Sequence, residues 1–316
     1  MDFKAKVSKA AEGIRPYLRV TPLDYAFGLS ECGTDAYIKC ENLQYTGSFK
    51  ARGAMNKLLS LTPQQQEKGV VTASTGNHGA AVAFGARRLN VNGLVFVPEN
   101  AAPTKIQNIR RLGADVRIGG DDCVVAEQRA REYAEANNLA YISPYNDPDV
   151  IAGQGTIGYE IMEQLPETDV VYIALGGGGL ASGIAGYLKA TAPHITIVGC
   201  SPDQAPVLYE CIKANDYLDI PSHPTLSDGT AGGLEVGSIT LPFCRKFIDR
   251  HVLISEDEIR AAMLEFMETE HQMIEGAAGV AIAGMKKLAP EYQGKKAVII
   301  LCGANISAEK LKTVLP

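Results

Sequence analysis

Short hydrophobic runs alternate with longer amphipathic segments along the whole chain. The runs are five to seven residues long, rich in Val, Ile and Tyr, and mostly apolar on both faces. Nine of them are predicted to be strands: residues 36–40, 69–74, 92–98, 114–119, 139–143, 169–175, 195–200, 251–255 and 296–301. Strands that are apolar throughout and separated by helices are typical of parallel sheets covered on both faces. The pattern therefore predicts an α/β fold.

The segments between these runs have helical length and periodicity. Clear examples are residues 104–113, 123–138 and 179–191. At least eight strands exceed what one regular sheet usually contains, so two α/β lobes are expected. Residues 143–155 (SPYNDPDVIAGQG) are rich in Pro, Asp, Asn and Gly, and are interpreted as a connection that crosses between the two sheets.

Charge and cysteine content exclude several classes of protein. The net charge is −6, and no run of Lys or Arg exceeds two residues, which argues against nucleic-acid binding. No apolar stretch approaches the ~18 residues of a membrane span, and the N-terminus lacks the apolar core of a signal peptide. The seven cysteines include no CxxC pair, which is typical of reduced thiols in a cytoplasmic protein.

Glycine is enriched, with 32 residues in 316, and its clearest cluster is GGGGLASG at 176–183. This cluster follows an apolar run and precedes a predicted helix. Glycines let the backbone approach a ligand, and the helix start offers free N–H groups, so a phosphate site is predicted. A dinucleotide fingerprint is the alternative, because Gly176, Gly178 and Ala181 fit GxGxxA and Asp203 lies further along.

Three other segments contain residues suited to catalysis. In TGSFKARGA (46–54), Lys50 is a possible nucleophile, although spacing alone favours an ordinary surface lysine. In ASTGNHGAA (73–81), a strand-to-helix turn could hold a carboxylate, and His78 lies within it. Cys302 follows the last strand, at the strand end where open α/β sheets bind ligands.

Two weaker features remain open. His271 and Glu275 are four residues apart in a predicted helix, which is the spacing of a metal pair, but packing is the favoured interpretation because no third ligand is near. The loop 227–237 (SDGTAGGLEVG) could line a cleft or serve only as a connector.

Together and in this order, the motifs resemble those of fold-type II pyridoxal-phosphate enzymes, within the serine/threonine dehydratase and serine racemase family. The resemblance extends from about Thr21 to Ile306. It rests on the segments SFKARGA (48–54), STGNHG (74–79), VIAGQGTIGYEI (150–161), GGGGLASG (176–183), SDG (227–229), IEGAAGVA (274–281) and CGANI (302–306).

The resemblance implies a role for each matching residue. Lys50 would bind the cofactor, pyridoxal 5'-phosphate, as a Schiff base and act as the catalytic base, with Thr75 as a second catalytic group. Other cofactor contacts would come from Phe49, Asn77, Gly176, Gly177, Gly178, Gly179, Leu180 and Cys302. The substrate carboxylate would lie among Ser74, Thr75, Gly76 and His78.

The implied fold has two parallel-sheet lobes, like the tryptophan synthase β subunit, with the cofactor in the cleft between them. The large lobe would comprise residues 1–52 and 147–316, and the small lobe residues 53–146. The implied reaction is β-elimination of an L-3-hydroxy amino acid, such as threonine or serine, to a 2-oxo acid and ammonia. A homodimer is a further family expectation.

Departures from the family pattern leave two alternatives open. Racemases of the family have serine where this chain has Thr75, so serine racemisation is the alternative activity. The unusual 227–237 loop suggests a more specialised substrate, such as 3-hydroxyaspartate. No metal site is expected, because Ser201, Ala205 and Val207 occupy the positions of the racemases' acidic cation ligands.

Overall fold

A computed structural model describes residues 1–121 and 123–316 of the chain. All nine predicted strands form, and one more precedes them. In chain order, the strands are β1 (Leu23–Tyr25), β2 (Asp35–Lys39), β3 (Val70–Ala73), β4 (Gly93–Val97), β5 (Asp115–Ile118), β6 (Ala140–Tyr141), β7 (Val170–Ala174), β8 (Thr196–Pro202), β9 (Arg250–Ile254) and β10 (Lys296–Ile300).

The helices lie between the strands, as the α/β pattern predicts. They are α1 (Phe3–Ile14), α2 (Phe27–Ser30), α3 (Lys50–Ser60), α4 (Pro63–Lys68), α5 (Asn77–Arg88), α6 (Pro103–Arg111), α7 (Cys123–Ala136), α8 (Pro148–Gln164), α9 (Gly179–Thr191), α10 (Val207–Ala214), α11 (Thr240–Phe247), α12 (Glu256–Glu270), α13 (Gly276–Leu288) and α14 (Ala308–Lys312). The three helical segments named above correspond to α6, α7 and α9. No helix in the described part of the chain combines the length and apolarity needed to traverse a bilayer.

The strands form two sheets. The larger has the order β1-β2-β10-β7-β8-β9, and the smaller has the order β5-β4-β3-β6. All pairings are parallel except that of β1 with β2. The pattern misses β1 because it is a three-residue edge strand and none of its residues is fully buried. The α/β prediction is confirmed.

The largest core surrounds the middle of the six-stranded sheet. Every residue of β7 is buried, because β10 and β8 flank it in the sheet and helices cover both faces. This explains why the run 169–175 shows no alternation of apolar and polar residues.

Helix α8 begins earlier than the sequence suggests, so the interpretation of 143–155 as a connection is wrong for its second half. Asp147 caps the helix, since its Oδ1 accepts hydrogen bonds from the N–H groups of Asp149 (2.8 Å) and Val150 (3.0 Å). Pro148 occupies the first helical position, where its missing N–H has no cost. The turn-like composition is therefore a helix start.

Helix α3 connects the two sheets. It packs against α8 along its length, and also against α5 beside the smaller sheet. The contact with α8 is close, because a Cβ on Gly153 would lie 2.6 Å from the Arg52 carbonyl oxygen. The catalytic candidate Lys50 is the first residue of this helix.

Candidate active site

Lys50 lies at the cleft between the two lobes, and the residue is half-buried. Its Nζ donates a hydrogen bond to the carbonyl oxygen of Pro144 at 2.8 Å and lies 5.2 Å from the centre of the Phe49 ring. Desolvation lowers the pKa of Lys50 to about 8, against a smaller opposing effect of the Glu275 carboxylate. A lysine with this pKa is partly neutral near physiological pH, which is the form that acts as a nucleophile or base.

The glycine loop connects β7 to α9, as predicted. Gly178 has a φ of 82°, a conformation that favours glycine. A Cβ on Gly177 would lie 2.5 Å from the Tyr145 ring, and one on Gly176 would lie 3.0 Å from the Cα of Thr230. The segment Pro144–Tyr145 therefore contacts both Lys50 and the glycine loop. Leu180, in the first turn of α9, is buried.

The start of α5 forms a third wall. Gly76 precedes the helix, its N–H donates to Ser74 Oγ at 3.1 Å, and the space beside its Cα is open. Thr75 is half-buried in the same turn. The first N–H groups of a helix lack intrahelical acceptors and favour an anion, so this turn suits a carboxylate.

The His78 ring is hydrogen-bonded to a backbone group outside the turn that precedes α5. Its Nε2 lies 3.0 Å from the Ile142 carbonyl oxygen, and the ring is buried. Burial, with a smaller effect of the Lys50 charge, lowers the pKa of His78 to about 3. The ring is therefore neutral, with Nε2 protonated because a carbonyl only accepts. At the start of α5, His78 therefore offers its backbone N–H, and not its ring, to a bound carboxylate.

Glu275 is a site residue whose place the sequence reasoning missed. Asn77 Nδ2 donates to both of its carboxylate oxygens at 3.0 Å, and the Asn305 N–H donates to Oε2 at 3.2 Å. Cys302 Sγ lies 3.7 Å from Oε1. Glu275 therefore connects the start of α5 with the end of β10.

The predicted helical spacing of His271 and Glu275 is wrong. His271 ends α12 with a φ of 55°, and Glu275 is the residue that precedes α13. Among residues 1–121 and 123–316, no group of three or more His, Cys, Asp or Glu side chains could hold a metal ion. The signal for Glu275 was its place in IEGAAGVA, just before a run of small residues.

Burial is the main cause of the shifted pKa values of Glu275 and Cys302. Desolvation raises the pKa of Glu275, which is 5% exposed, and the hydrogen bond from Asn77 opposes that shift. Desolvation also raises the pKa of Cys302 well above its ordinary value, and the Glu275 charge adds to that effect. Cys302 is consequently a neutral thiol.

The loop 227–237 belongs to the cleft and is more than a connector. Thr230 lies beside Gly176, and a Cβ on Gly229 would lie 3.5 Å from Glu275 Oε1. The Tyr145 hydroxyl accepts a hydrogen bond from the Glu235 N–H at 2.9 Å. Contacts thus run around the cleft from Lys50 through Tyr145 and this loop to Glu275.

Comparisons with known proteins agree with this geometry. The model of the family described as "Pyridoxal-phosphate dependent enzyme" matches residues 14–303. The L-threonine ammonia-lyase of Thermotoga maritima is 36% identical over 98% of this chain and 77% of its own.

Two solved structures are also similar. The processed threonine deaminase isoform 2 of Solanum lycopersicum is 36% identical, with a TM-score of 0.95 over 99% of this chain and 86% of its own. Maize serine racemase is 30% identical, with a TM-score of 0.92 over 98% and 95% of the two chains. None of these comparisons supports the alternative that Gly176, Gly178 and Ala181 form a dinucleotide-binding fingerprint. The predicted family resemblance is confirmed. The chain belongs to the pyridoxal-phosphate dependent enzyme family, in its fold-type II serine/threonine dehydratase group.

Proposed function

We propose that this protein is an ammonia-lyase that converts an L-3-hydroxy amino acid, threonine or serine, to a 2-oxo acid and ammonia. The observation that carries the proposal is Lys50, whose pKa is lowered to about 8 in a cleft walled by a glycine loop and two helix starts. The relationship to threonine ammonia-lyase over nearly the whole chain supports the same reaction.

The residues of the cleft fit pyridoxal 5'-phosphate. Gly179, Leu180 and Ala181 begin α9, and N–H groups at that position have no intrahelical acceptor, which suits a phosphate. Lys50 suits the aldehyde, because its lowered pKa favours the neutral amine. We assign Gly176–Gly179 and Leu180 to the phosphate, Asn77 to the ring hydroxyl, and Phe49 and Cys302 to the ring. The bound cofactor supplies an electron sink for the charge that develops at the substrate Cα.

Lys50 is the proposed base that removes the Cα proton. A base works best when its pKa lies near the operating pH, and a pKa of about 8 meets that condition. The turn Ser74–His78 positions the substrate carboxylate with its N–H groups and hydroxyls. This arrangement directs the Cα–H bond toward Lys50, on which the stereochemistry of proton removal depends.

The neutral thiol of Cys302 suits elimination better than transamination. A neutral thiol beside the pyridine nitrogen would not keep that nitrogen protonated as an aspartate would, so the bound cofactor would be a weaker electron sink. Asn77 is held by Glu275 at 3.0 Å, which fixes the amide that faces the ring hydroxyl.

Thr75 carries the second candidate activity. Its hydroxyl lies in the turn before α5, at the position of the acid in the family's racemases. A proton delivered there to the opposite face of Cα would racemise serine. Chiral analysis of serine during turnover separates this outcome from elimination.

Three further assignments belong to the proposal. The lobes are residues 1–52 with 147–316 and residues 53–146, supported by the two sheets. The partner is a second copy of the chain, and the exposed aromatic pair Tyr25 and Phe27, which lies against the partly buried Tyr37, supports it: Phe27 is 79% exposed, and its ring lies 5.0 Å from that of Tyr25. Among the described residues, Cys32, Cys40, Cys200, Cys211, Cys244 and Cys302 form no disulfide, which supports a reducing cytoplasm.

The test is a substrate panel of L-threonine, L-serine and L-3-hydroxyaspartate, read as 2-oxo acid formed by the purified holoenzyme. Threonine or serine should be the best substrate. Borohydride reduction should attach the cofactor to the peptide that contains Lys50. No turnover of any of the three amino acids, or full activity in a Lys50→Ala variant, would overturn the proposal.

A further inference from the structure

A cluster of four buried charged residues lies behind the first turn of α3. It consists of Lys39, Glu41, Arg52 and Glu160, and we call it the charge cluster. All four are at most 6% exposed. They come from β2, from the segment that follows it, from α3 and from α8, so one cluster connects three elements of the fold.

Arg52 is the centre of the charge cluster. Its guanidinium binds Glu41 through Nε (2.7 Å) and Nη2 (2.8 Å), and Glu160 through Nη1 (2.6 Å) and Nη2 (2.8 Å). Thr21 and Thr156 accept further hydrogen bonds at 3.2 Å. Two bidentate carboxylate contacts fix the guanidinium in position and orientation, which a lysine could not achieve.

Lys39 completes the cluster from the sheet side. Its three donors reach the Thr21 carbonyl oxygen (2.7 Å), Glu160 Oε2 (2.6 Å) and Gln164 Oε1 (2.8 Å). Two cations therefore face two carboxylates, and the cluster is formally neutral. Such an arrangement has little field outside itself, so it holds elements together without shifting distant charges.

The position of the cluster relative to Lys50 is the key observation. Lys50 and Arg52 are two residues apart at the start of α3, so their side chains leave the helix about 200° apart, on opposite sides. Gly53, the next residue, donates its N–H to Gln154 Oε1 at 3.1 Å, and Gly153 on α8 contacts the Arg52 carbonyl oxygen. The first turn is thus fixed by side chain and backbone together.

We propose that Arg52 is a positioning residue for Lys50: its two carboxylate contacts hold the first turn of α3 on Glu41, which follows β2, and on Glu160 of α8, and thereby hold the Lys50 amine at the cleft. The inference rests on the proposed role of Lys50. It assigns to Arg52 no contact with substrate or cofactor.

The alternative, that the cluster tunes Lys50 through its charge, does not agree with the electrostatics. Desolvation, Glu275 and Cys302 determine the pKa of Lys50, and no member of the charge cluster contributes. The other titratable group that faces Lys50 is His78, which is neutral. Loss of Arg52 therefore affects Lys50 by displacing the first turn of α3, and not by removing a nearby charge.

The experiment compares two variants. Arg52→Lys keeps the positive charge but loses the bidentate guanidinium contacts. Lys39→Gln removes the cation on β2 and leaves both carboxylates bound to Arg52. The readout is the apparent pKa of Lys50 in the full-length, cofactor-free chain, from the pH dependence of its cyanate carbamylation measured by mass spectrometry. Glu41→Gln is a third variant, which weakens the guanidinium contacts while keeping an acceptor.

We expect the pKa of Lys50 to rise by about 0.5–1 unit toward its ordinary value in Arg52→Lys and Glu41→Gln, because a loosened turn exposes the amine to water. In the holoenzymes of both variants, kcat should fall about 10-fold or more with little change in KM, since displacement of a catalytic group affects the chemical step. Lys39→Gln should keep the parent pKa although it loses stability.

Two results would overturn the proposal. One is an unchanged Lys50 pKa and kcat in Glu41→Gln and in Arg52→Lys, where the latter folds, which would make the cluster purely structural. The other is an equal pKa shift in Lys39→Gln, which would mean general loosening. Carbamylation needs no substrate, so failure of this inference is distinguishable from failure of the proposed ammonia-lyase activity.

Discussion

Lys50 and Arg52 are two cations on opposite sides of one helical turn, and their surroundings differ. Arg52 is fully buried between two carboxylates, which raise its pKa above the ordinary value despite the opposing effect of desolvation. Lys50 has one carbonyl oxygen at hydrogen-bond distance, and desolvation lowers its pKa to about 8. The same element therefore carries a permanent charge on one face and a titratable amine on the other.

The comparison shows what separates a structural buried charge from a reactive one. A cation whose donors all meet acceptors in a neutral cluster stays charged and holds its neighbours in place. A cation that is desolvated without a close anion approaches neutrality, and that state is the one chemistry requires. Burial alone does not distinguish them, because the difference lies in the number and charge of the acceptors.

The largest expected effect is the loss of activity when Lys50 is replaced. Lys50→Ala should lower kcat/KM for threonine or serine about 10⁴-fold, because the variant lacks both the proposed attachment point of the cofactor and the proposed base. Steady-state formation of 2-oxo acid measures it. Lys68→Ala, at an exposed lysine of α4, is the control and should stay within about two-fold of the parent. A Lys50→Ala enzyme within ten-fold of the parent would remove the basis of the comparison.

The next largest effect is the loss of stability when Arg52 is replaced. Arg52→Met should lower the free energy of unfolding by about 3–5 kcal/mol, because Glu41 is left buried without a cation and Glu160 keeps only its contact with Lys39. Urea denaturation followed by circular dichroism measures it. Arg250→Met, which removes an exposed pair with Glu291, is the control and should leave the free energy of unfolding nearly unchanged, because solvent screens an exposed ion pair. Equal losses in the two variants would show that the charge cluster is not a special anchor.

A smaller effect of opposite sign is expected at Lys50. In the cofactor-free protein, Lys50→Met should raise the free energy of unfolding at pH 7 by about 1–3 kcal/mol, because the folded state no longer buries an ammonium. The folded pKa is about 8 and the unfolded value is near 10.5, so this gain should shrink as the pH rises between them. Denaturation at pH 7 and pH 10 tests the sign. A gain that grows with pH would contradict the lowered pKa.

The smallest effect concerns Glu275, the anion that faces Lys50. Glu275→Gln should lower the pKa of Lys50 below about 8, by about 0.5–1 unit, because the carboxylate charge favours the ammonium. The pH dependence of Lys50 carbamylation measures it. An unchanged or raised Lys50 pKa in this variant would contradict the prediction.

Much of the fold follows from local patterns. The run 169–175 predicts β7 because a strand buried on both faces must be apolar throughout, and the glycines after it predict the loop before α9. The start of α8 was missed because Asp147 and Pro148 serve equally as turn residues and as a helix cap with its first residue. Which role they take depends on the packing of α8 against α3.

The sequence by itself determined the α/β class and the order of the strands along the chain, because both are contiguous patterns that local physics can interpret. It also contains the family motifs, and the prediction for Lys50 rests on those motifs, since spacing alone favours a surface lysine. Only the tertiary structure decided the partners of the buried charges. Glu275 meets Asn77 from 198 residues away, and Arg52 meets Glu160 from 108 residues away. Periodicity carries no information about such pairings, because they depend on which elements the two sheets bring together. They nevertheless determine which cation stays charged and which one can react.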